Sequence, residues 1–242
     1  SLPTFAADGD MHDVTILGTS DLHGHFMPWD YASDKANLRG SLSQIATKVK
    51  EIRNDEQNVI LVDAGDTTQG NFVETFKHEK TDPMMLGFNE MQYDVWVLGN
   101  HEFDFGLKVL DRALTQFKGD ALAGNIEKQN GNPFLPSYKI IERNGIKIGI
   151  IGMDTPMTQV FAAGTDRLGG MKFTNPTLEV KKVIAKIKDE VDSIVLVAHM
   201  GLDNENNISD TGVTDIANAN PELDAIVAGH MHTKVDKAVV NG

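Results

Sequence analysis

The 242-residue sequence contains no cysteine, and this absence removes three kinds of chemistry at once. The chain cannot form disulfides, bind a metal through thiolates or use a cysteine nucleophile. Any metal site must therefore be built from histidine, aspartate, glutamate or asparagine. A chain without thiols is also compatible with an oxidising compartment, and we predict a secreted, periplasmic or cell-surface location.

Positive charge and long apolar runs are scarce as well. The 22 lysines and arginines are outnumbered by 35 aspartates and glutamates, which gives a formal net charge of −13. Such a surface repels nucleic acid polymers and anionic lipid, so an anionic substrate would need a local positive centre. Apolar runs stay short of the roughly 18 residues of a membrane span. The segment 1–12 is predicted to be flexible and to be the remnant of a removed leader.

Short apolar segments alternate with helical patterns along the chain. Seven near-continuous apolar runs predict strands that are covered on both faces; they lie at 14–17, 58–62, 94–98, 121–124, 146–152, 193–197 and 224–228. Helices are predicted at 42–52 after a Ser41 cap, after Asp82-Pro83, at 106–117 and at 177–190. This alternation predicts an α/β fold. An Asn144-Gly145 turn predicts a hairpin and hence a mixed sheet.

Metal-competent side chains follow nearly every predicted strand within four residues. The clusters contain Asp21, His23, His25, Asp63, Asp66, Asn100, His101, Asp104, His199, His230 and His232. Because the carboxyl ends of strands share one edge of an open α/β sheet, we expect these groups to converge. Ligands without sulfur favour Zn, Mn, Fe or a similar divalent ion. There are too many candidates for one ion, whereas two ions sharing a carboxylate would use them, as in hydrolysis of phosphate esters.

The spacing within the clusters also suggests a local geometry. Asp21 with His23, and His230 with His232, are two positions apart, which in an extended segment places both side chains on one side. Glycine beside a candidate ligand, as in “GD” at 65–66, permits a sharp turn and a close approach to the centre.

Five blocks, “DLHGH”, “GDTTQG”, “GNHEFD”, “VAHMG” and “GHMH”, resemble in this order the metal-binding blocks of the calcineurin-like metallophosphoesterases. The longer spellings “TILGTSDLHGHF”, “GNHEFDFG” and “AGHMHT” are similar to the branch of 5′-nucleotidases and 2′,3′-cyclic-nucleotide phosphodiesterases. The likeness runs from about residue 13 to about residue 235. It implies an α/β sandwich of mixed β-sheets flanked by helices, with the metal site at the carboxyl ends of the strands.

The resemblance also implies roles for individual residues. One metal ion would be held by Asp21, His23, Asp66 and His232, and the other by Asp66, Asn100, His199 and His230, with Asp66 as the bridge. His101 would lie beside the metals without binding them and stabilise the transferring phosphoryl group or the leaving oxygen, oriented by Asp104. A carboxylate partner fixes the tautomer of a histidine and raises its basicity.

By the same resemblance, the chain would be a metal-dependent phosphoric ester hydrolase, a 5′-nucleotidase, a 2′,3′-cyclic-nucleotide phosphodiesterase or both, that cleaves nucleotides by in-line attack of a metal-activated water on phosphorus. Family nucleotidases continue into a C-terminal substrate-binding domain that this sequence lacks, so we expect 13–242 to be a truncated catalytic domain whose partner is that missing domain. Two alternatives stay open. One is a nucleotide-sugar or other small phosphodiester hydrolase of the same superfamily, and the other is a non-catalytic, metal-stabilised surface-binding module.

Five polar residues near the motifs have open roles. His25 is either in contact with the ligands or facing solvent, and Asp63 is expected to hydrogen-bond a ligating histidine or the loop backbone. Glu102 is expected to brace its loop rather than bind metal. Asn125 and Asp154 either support the site or belong to turns.

Overall fold

Two four-stranded β-sheets lie face to face at the centre of the structure, a computed structural model that describes residues 13–38 and 40–240. The strands of the described residues are β1 (Thr15–Thr19), β2 (Trp29–Asp30), β3 (Lys35–Ala36), β4 (Val59–Asp63), β5 (Val95–Val97), β6 (Asp120–Leu122), β7 (Ile126–Glu127), β8 (Tyr138–Arg143), β9 (Ile146–Asp154), β10 (Lys172–Phe173), β11 (Ser193–His199) and β12 (Ala225–Ala228). The first sheet has the order β1-β4-β5-β6 and is parallel. The second has the order β12-β11-β9-β8, with only β8 antiparallel to its neighbour. Two short antiparallel ribbons, β2-β3 and β7-β10, complete the strands.

Helices cover the outer face of each sheet. They are α1 (Leu42–Asp55), α2 (Pro83–Glu90), α3 (Leu107–Gln116), α4 (Met157–Phe161), α5 (Pro176–Ile187) and α6 (Val213–Ala219), with short 3₁₀ helices at Phe72–Phe76, Asn100–Phe103 and Glu205–Asn207. Buried side chains of α1, α2 and α3 pack with Leu61 and Trp96 of the first sheet. Those of α5 and α6 pack with Ile151 and Leu196 of the second. The layers therefore run helix, sheet, sheet, helix.

The alternation of side chains along β4 accounts for its unbroken apolar sequence. Ile60 and Val62 face the second sheet, whereas Leu61 faces the helices. All three are fully buried, and burial of such a side chain contributes about 1.5–3 kcal/mol. The sheets pack closely where a Cβ on Gly18 of β1 would lie 2.6 Å from Val227 of β12. Any larger residue at Gly18 would push the sheets apart.

Most predicted elements are confirmed, including their caps. Ser41 and Gln44 cap α1 reciprocally, and the carboxylate of Asp82 accepts hydrogen bonds from the first turn of α2. The hairpin is formed by β8 and β9, and both Asn144 and Gly145 have positive φ at its turn. The α/β sandwich of sheets flanked by helices is the predicted fold.

Some boundaries differ from the predictions. Mixed strand directions are confined to the second sheet. The predicted helix 177–190 is Pro176–Ile187 because Asn175 caps it and proline takes the first turn. The helices α4 and α6 were not predicted, since at five and seven residues they are too short for a clear apolar period.

Two further predictions concern the N-terminal segment and membrane-spanning helices. The flexible segment predicted at 1–12 lies outside the described residues. Over 13–38 and 40–240, no helix is both long and apolar enough to cross a membrane.

Candidate metal centre

Loops at the carboxyl ends of five strands meet at one edge of the sandwich. The seven predicted ligands lie there: Asp21 and His23 after β1, Asp66 after β4, Asn100 after β5, His199 at the end of β11, and His230 and His232 after β12. The first sheet supplies four of these side chains and the second supplies three. The convergence expected from their positions after the strands is thus present, while which side chains bind metal stays a prediction.

Five of the seven predicted ligands have a left-handed backbone. The φ angles are 53° at Asp21, 45° at His23, 56° at Asp66, 78° at His230 and 50° at His232. The expectation that the paired ligands lie on extended segments is therefore wrong, since these segments are tight turns. Left-handed geometry costs a residue with a side chain about 1–2 kcal/mol. Strain of this kind concentrates at functional sites, where the surrounding structure holds it in place.

The first group of possible ligands is Asp21, His23 and His232, whose donor atoms lie within 4.8 Å of one another. The Nε2 atoms of His23 and His232 are 3.0 Å apart, and Nε2 of His232 is 3.4 Å from a carboxylate oxygen of Asp21. The His232 side chain is 61% exposed, so this group opens to solvent. Small ions and substrates therefore have direct access to it.

The second group is Asp66, His199 and His230, and it is more deeply buried. Nε2 of His199 lies 3.0 Å from Oδ2 of Asp66 and 3.1 Å from Oδ1 of Asn100. Oδ1 of Asp66 accepts a hydrogen bond of 2.9 Å from the backbone N–H of His101. The other oxygen, Oδ2, is also 3.8 Å from Nε2 of His23 in the first group. Oδ2 therefore lies between the two groups.

The donor set fits divalent metal ions. Nδ1 of His199 lies 2.7 Å from the carbonyl oxygen of Ala64, an atom that can only accept, so Nδ1 carries a proton. A neutral His199 therefore points a lone pair on Nε2 at two further acceptor oxygens. Nδ1 of His23 is likewise 3.0 Å from Oε1 of Gln69, and its Nε2 faces another imidazole nitrogen. Lone pairs converging in this way need a cation among them, and second contacts of this kind are typical of metal-binding histidines.

The pKa values of His199 and Asp66 also show that the acceptor oxygens of this group favour a positive charge beside them. Burial alone would lower the pKa of His199, but the hydrogen bond and charge of Asp66 outweigh burial and raise this pKa to about 10. Burial would raise the pKa of Asp66, but the hydrogen bond and charge of His199 hold this pKa below its usual value. A divalent cation would satisfy the same oxygens in place of the proton.

His101 lies beside the two ligand groups and belongs to neither. Its Nδ1 is 2.6 Å from Oδ2 of Asp104, and the ring centroid is 5.3 Å from that of His23. The hydrogen bond to Asp104 raises the pKa of His101 above its usual value. The other carboxylate oxygen of Asp104 accepts a bond of 2.5 Å from Nη1 of Arg167. Among the described residues, the ring of His101 forms its hydrogen bond through Nδ1, and Nε2 has no hydrogen-bond partner.

Glu102 braces the backbone of two loops. Its carboxylate accepts from the backbone N–H groups of Gly99, Asp66, Thr67 and Thr68, at 2.7–3.2 Å. Burial raises the pKa of this carboxyl. The bracing role expected for Glu102 matches this geometry, because the carboxylate fixes the positions of the two loops that carry Asp66 and Asn100.

The other residues with open roles also hold the loops in place. Asp63 accepts from the N–H of Gly65 and from Thr67, as one of its expected roles requires. Asn125 exchanges hydrogen bonds with the backbone of Asp154, the β-sheet partner of His199. Both therefore support the site indirectly. His25 lies outside both ligand groups.

Three residues at the site were not anticipated from the sequence. Gln69 contacts His23, Arg167 contacts Asp104, and Glu205 lies 2.9 Å from His230. Gln69 belongs to the block “GDTTQG”, so its place in this motif could have predicted that it lies at the site. Arg167 and Glu205 come from loops that no motif marks, and only the folded chain brings them to the site.

The sequence profile of the calcineurin-like phosphoesterase family matches residues 14–234. The 5′-nucleotidase of Vibrio cholerae is 32% identical over 231 residues, which cover 93% of this chain and 41% of that protein. The 2′,3′-cyclic-nucleotide 2′-phosphodiesterase/3′-nucleotidase of Salmonella typhimurium is 30% identical over 240 residues, which cover 91% of this chain and 37% of that protein. The crystal structure of the calcineurin-like phosphoesterase YfkN from Bacillus subtilis superposes with a TM-score of 0.84 at 29% identity, covering 93% of this chain and 74% of that one. The chain thus spans less than half the length of these two curated relatives.

Proposed function

Because the chain belongs to the calcineurin-like phosphoesterase family, we propose that residues 13–242 form a catalytic domain that hydrolyses phosphate esters of nucleotides. Two divalent metal ions, of zinc, manganese, iron or a similar element, would be its cofactors. The first would be held by Asp21, His23, Asp66 and His232, and the second by Asp66, Asn100, His199 and His230.

The position of Asp66 carries this proposal. One carboxylate oxygen is tied down by the backbone of His101, and the other lies 3.0 Å from His199 and 3.8 Å from His23. A single oxygen thus stands between the two ligand groups. Paired metals that share a bridging carboxylate are a common device for in-line displacement at phosphorus, and this placement supports two ions rather than one.

The chain's own residues would divide the chemistry between them. When bound, the metal ions would supply positive charge for the phosphate oxygens and acidify a water molecule. That local charge would offset the repulsion expected from a net charge of −13. Glu102 keeps the two metal-binding loops in fixed register, so that little reorganisation accompanies the reaction.

His101 would act on the leaving group. Its Nδ1 is held by Asp104 at 2.6 Å, so Nε2 is the ring atom available to hold a proton or to donate a hydrogen bond. A proton on Nε2 would pass to the leaving oxygen, which is otherwise a strongly basic alkoxide. Asp104 keeps the ring in the orientation that this transfer needs.

The substrate class follows from the relatives rather than from the site. Their names include 5′-nucleotidase and 2′,3′-cyclic-nucleotide 2′-phosphodiesterase/3′-nucleotidase, which supports small nucleotides as substrates. A location outside the cytoplasm also stays a proposal, supported by the absence of cysteine. Fractionation of the source cells, with the protein found only in the cytoplasm, would refute that location.

The test compares wild type with Asp66→Asn. Purified chain freed of metal would be supplied with Mn²⁺ or Zn²⁺ and assayed with p-nitrophenyl phosphate, 5′-AMP and 2′,3′-cyclic AMP. We expect metal-dependent turnover that falls on the order of 10²-fold or more in Asp66→Asn, because the side chain loses its negative charge and one of its two oxygens, and a neutral amide is a poor bridge between two cations. Asp189→Asn, which changes an exposed aspartate just after α5, is the control and should match wild type. Equal inactivity of all three proteins with every substrate and metal would overturn the proposal.

A further inference from the structure

The loop between β11 and α6 delivers a carboxylate to His230. Oε2 of Glu205 lies 2.9 Å from Nε2 of His230, and the two side chains are only 16% and 9% exposed. Glu205 opens the 3₁₀ turn Glu205–Asn207 and is far from His230 in the sequence. No motif contains both residues, so only the folding of the chain brings them into contact.

This loop is fixed by its own hydrogen bonds. Oδ1 of Asn204 accepts from the backbone N–H groups of Thr211 and Gly212, and Nδ2 of Asn204 donates to Asp215 of α6. The backbone N–H of Glu205 donates to the hydroxyl of Thr211 at 2.7 Å. None of these bonds involves His230. The backbone of Glu205 is thus anchored independently of the ring that its side chain contacts.

The hydrogen bond determines which nitrogen of His230 can bind a metal. A carboxylate oxygen accepts, so Nε2 of His230 must carry the proton that is shared with Glu205. Nδ1 then keeps the lone pair and is the only ring atom left to act as a ligand. The ring is also confined by its neighbours, since its centroid lies 4.9 Å from that of His199 and 6.0 Å from that of Phe161.

The outward contact of His230 differs from those of the other predicted ligands described above. His23 faces the amide of Gln69 and His199 faces a backbone carbonyl, both neutral groups, on the nitrogen turned away from the centre. His230 faces a carboxylate. A carboxylate behind a metal-binding imidazole raises its basicity as well as fixing its orientation.

We propose that Glu205 is a positioning residue that holds His230 as the Nε2–H tautomer and thereby presents Nδ1 to the second metal ion. This inference rests on the proposed metal centre and extends it by one residue. Glu205 acts through His230 and does not touch substrate.

The first test reads the tautomer without any metal. Chain labelled with ¹⁵N-histidine and treated with chelator would give two-bond ¹H–¹⁵N spectra in which His230 of the wild type shows a single Nε2–H form. Glu205→Gln should keep this form, because the amide oxygen still accepts. Glu205→Ala should show a mixture of tautomers. An unchanged His230 signal in Glu205→Ala would overturn the proposal.

The second test measures metal binding. Zn²⁺ affinity and stoichiometry would be determined by competition with a chromogenic chelator for wild type, Glu205→Ala, Glu205→Gln and Asp203→Asn. We expect Glu205→Ala to weaken the binding of one of two ions by about 10–100-fold, and Glu205→Gln to weaken it less. Asp203 is an exposed acid of the same loop, so Asp203→Asn removes the same charge without the contact and should match wild type.

The outcomes separate the two proposals. If wild type binds no metal, the proposed metal centre fails and the role of Glu205 fails with it. If wild type binds two ions and Glu205→Ala binds both equally well, only the role of Glu205 is refuted. A loss in Asp203→Asn equal to that in Glu205→Ala would assign the effect to charge alone and would also refute it. Should Glu205→Ala not fold, Glu205→Leu, which also removes the acceptor but fills the space of the side chain, takes its place in both tests, with the same expected results and the same results that would overturn the proposal.

Discussion

Asn100 and His101 are adjacent in the sequence but point in different directions. Oδ1 of Asn100 lies 3.1 Å from Nε2 of His199, whereas the His101 ring is held by Asp104. Both residues belong to a 3₁₀ helix, in which successive side chains are about 120° apart around the axis. That geometry allows neighbours to have separate tasks, one holding metal and the other contacting the reacting groups.

This separation predicts opposite effects of two alanine substitutions. Asn100→Ala should lower the metal content of the purified chain, because an oxygen ligand is lost. His101→Ala should leave metal content unchanged and lower turnover by about 10²–10⁴-fold, as expected when a general acid is removed. Elemental analysis would measure the metal content, and kinetics with 5′-AMP, whose leaving oxygen is a basic alkoxide, would measure the turnover. Equal loss of metal in the two variants would show that the assignment of roles is wrong.

At the scale of single residues, the sequence predicted what its motifs contain. The seven candidate ligands converge as expected, and His101 lies against Asp104. Arg167 and Glu205 were missed because each acts across a loop whose path depends on the packing of distant elements. A motif encodes residues that are close in the chain, and these two contacts are close only in space.

At the scale of elements, Arg167 joins the segment after α4 to the 3₁₀ helix that carries His101. Nη1 donates to Asp104 and Nη2 donates to the carbonyl of Phe161 in α4, at 2.5 and 2.7 Å. The planar guanidinium reaches both acceptors at once, which a lysine ammonium does less well. The orientation of the His101 and Asp104 pair therefore depends on where α4 lies.

Arg167→Ala should therefore lower kcat by about 10–100-fold, the usual effect of losing a group that orients a functional side chain. Metal content and KM should stay close to wild type, since Arg167 contacts no predicted ligand. Arg167→Lys should recover part of kcat. Lys172→Ala, which removes an exposed positive charge from the same stretch, is the control. A rise in KM with unchanged kcat would instead assign Arg167 to substrate binding.

The buried strands were predicted correctly, whereas the turns that carry the ligands were not, and the reason is physical. Long apolar runs such as β9 and β11 are buried on both faces and were correctly predicted. The turns that carry the ligands were not, because a left-handed backbone at Asp21 or His230 is imposed by surrounding contacts. Asp and His adopt positive φ more often than most residues with a side chain, but even for them extended or right-handed geometry is more common. Residue type alone therefore does not identify which of them takes the left-handed conformation.

At the scale of the whole molecule, the buried pair of His199 and Asp66 should make stability depend on pH when metal is absent. The pKa of His199 rises in the fold from 6.5 to about 10. A raised pKa stabilises the fold fully below the unfolded value and less as pH rises towards the folded value. The metal-free chain should therefore lose stability between pH 6.5 and about 10.

Thermal unfolding of chelator-treated chain between pH 6 and pH 10 would measure this loss. We expect Tm of wild type to fall on the order of 5 °C further than that of His199→Gln, which lacks the titrating group. Added Zn²⁺ should reduce the fall, because the ion takes the place of the proton and stabilises the native state by mass action. Parallel curves for wild type and His199→Gln without metal would contradict the prediction.

Each sheet supplies part of both ligand groups, so neither group is complete before both sheets have formed and packed together. Synthesis from the N-terminus produces Asp21, His23 and Asp66 early. The contact of His23 with His232 forms only later, because His232 is 209 positions further along the chain. Until the last strand docks, neither group holds its full set of side chains, and the early carboxylates stay exposed to solvent. Closing so long a span depends on prior assembly of the sheets. Metal binding at the proposed centre would thus be a late event in the life of the newly made chain, and metal retained by the chain would report that both sheets have come together.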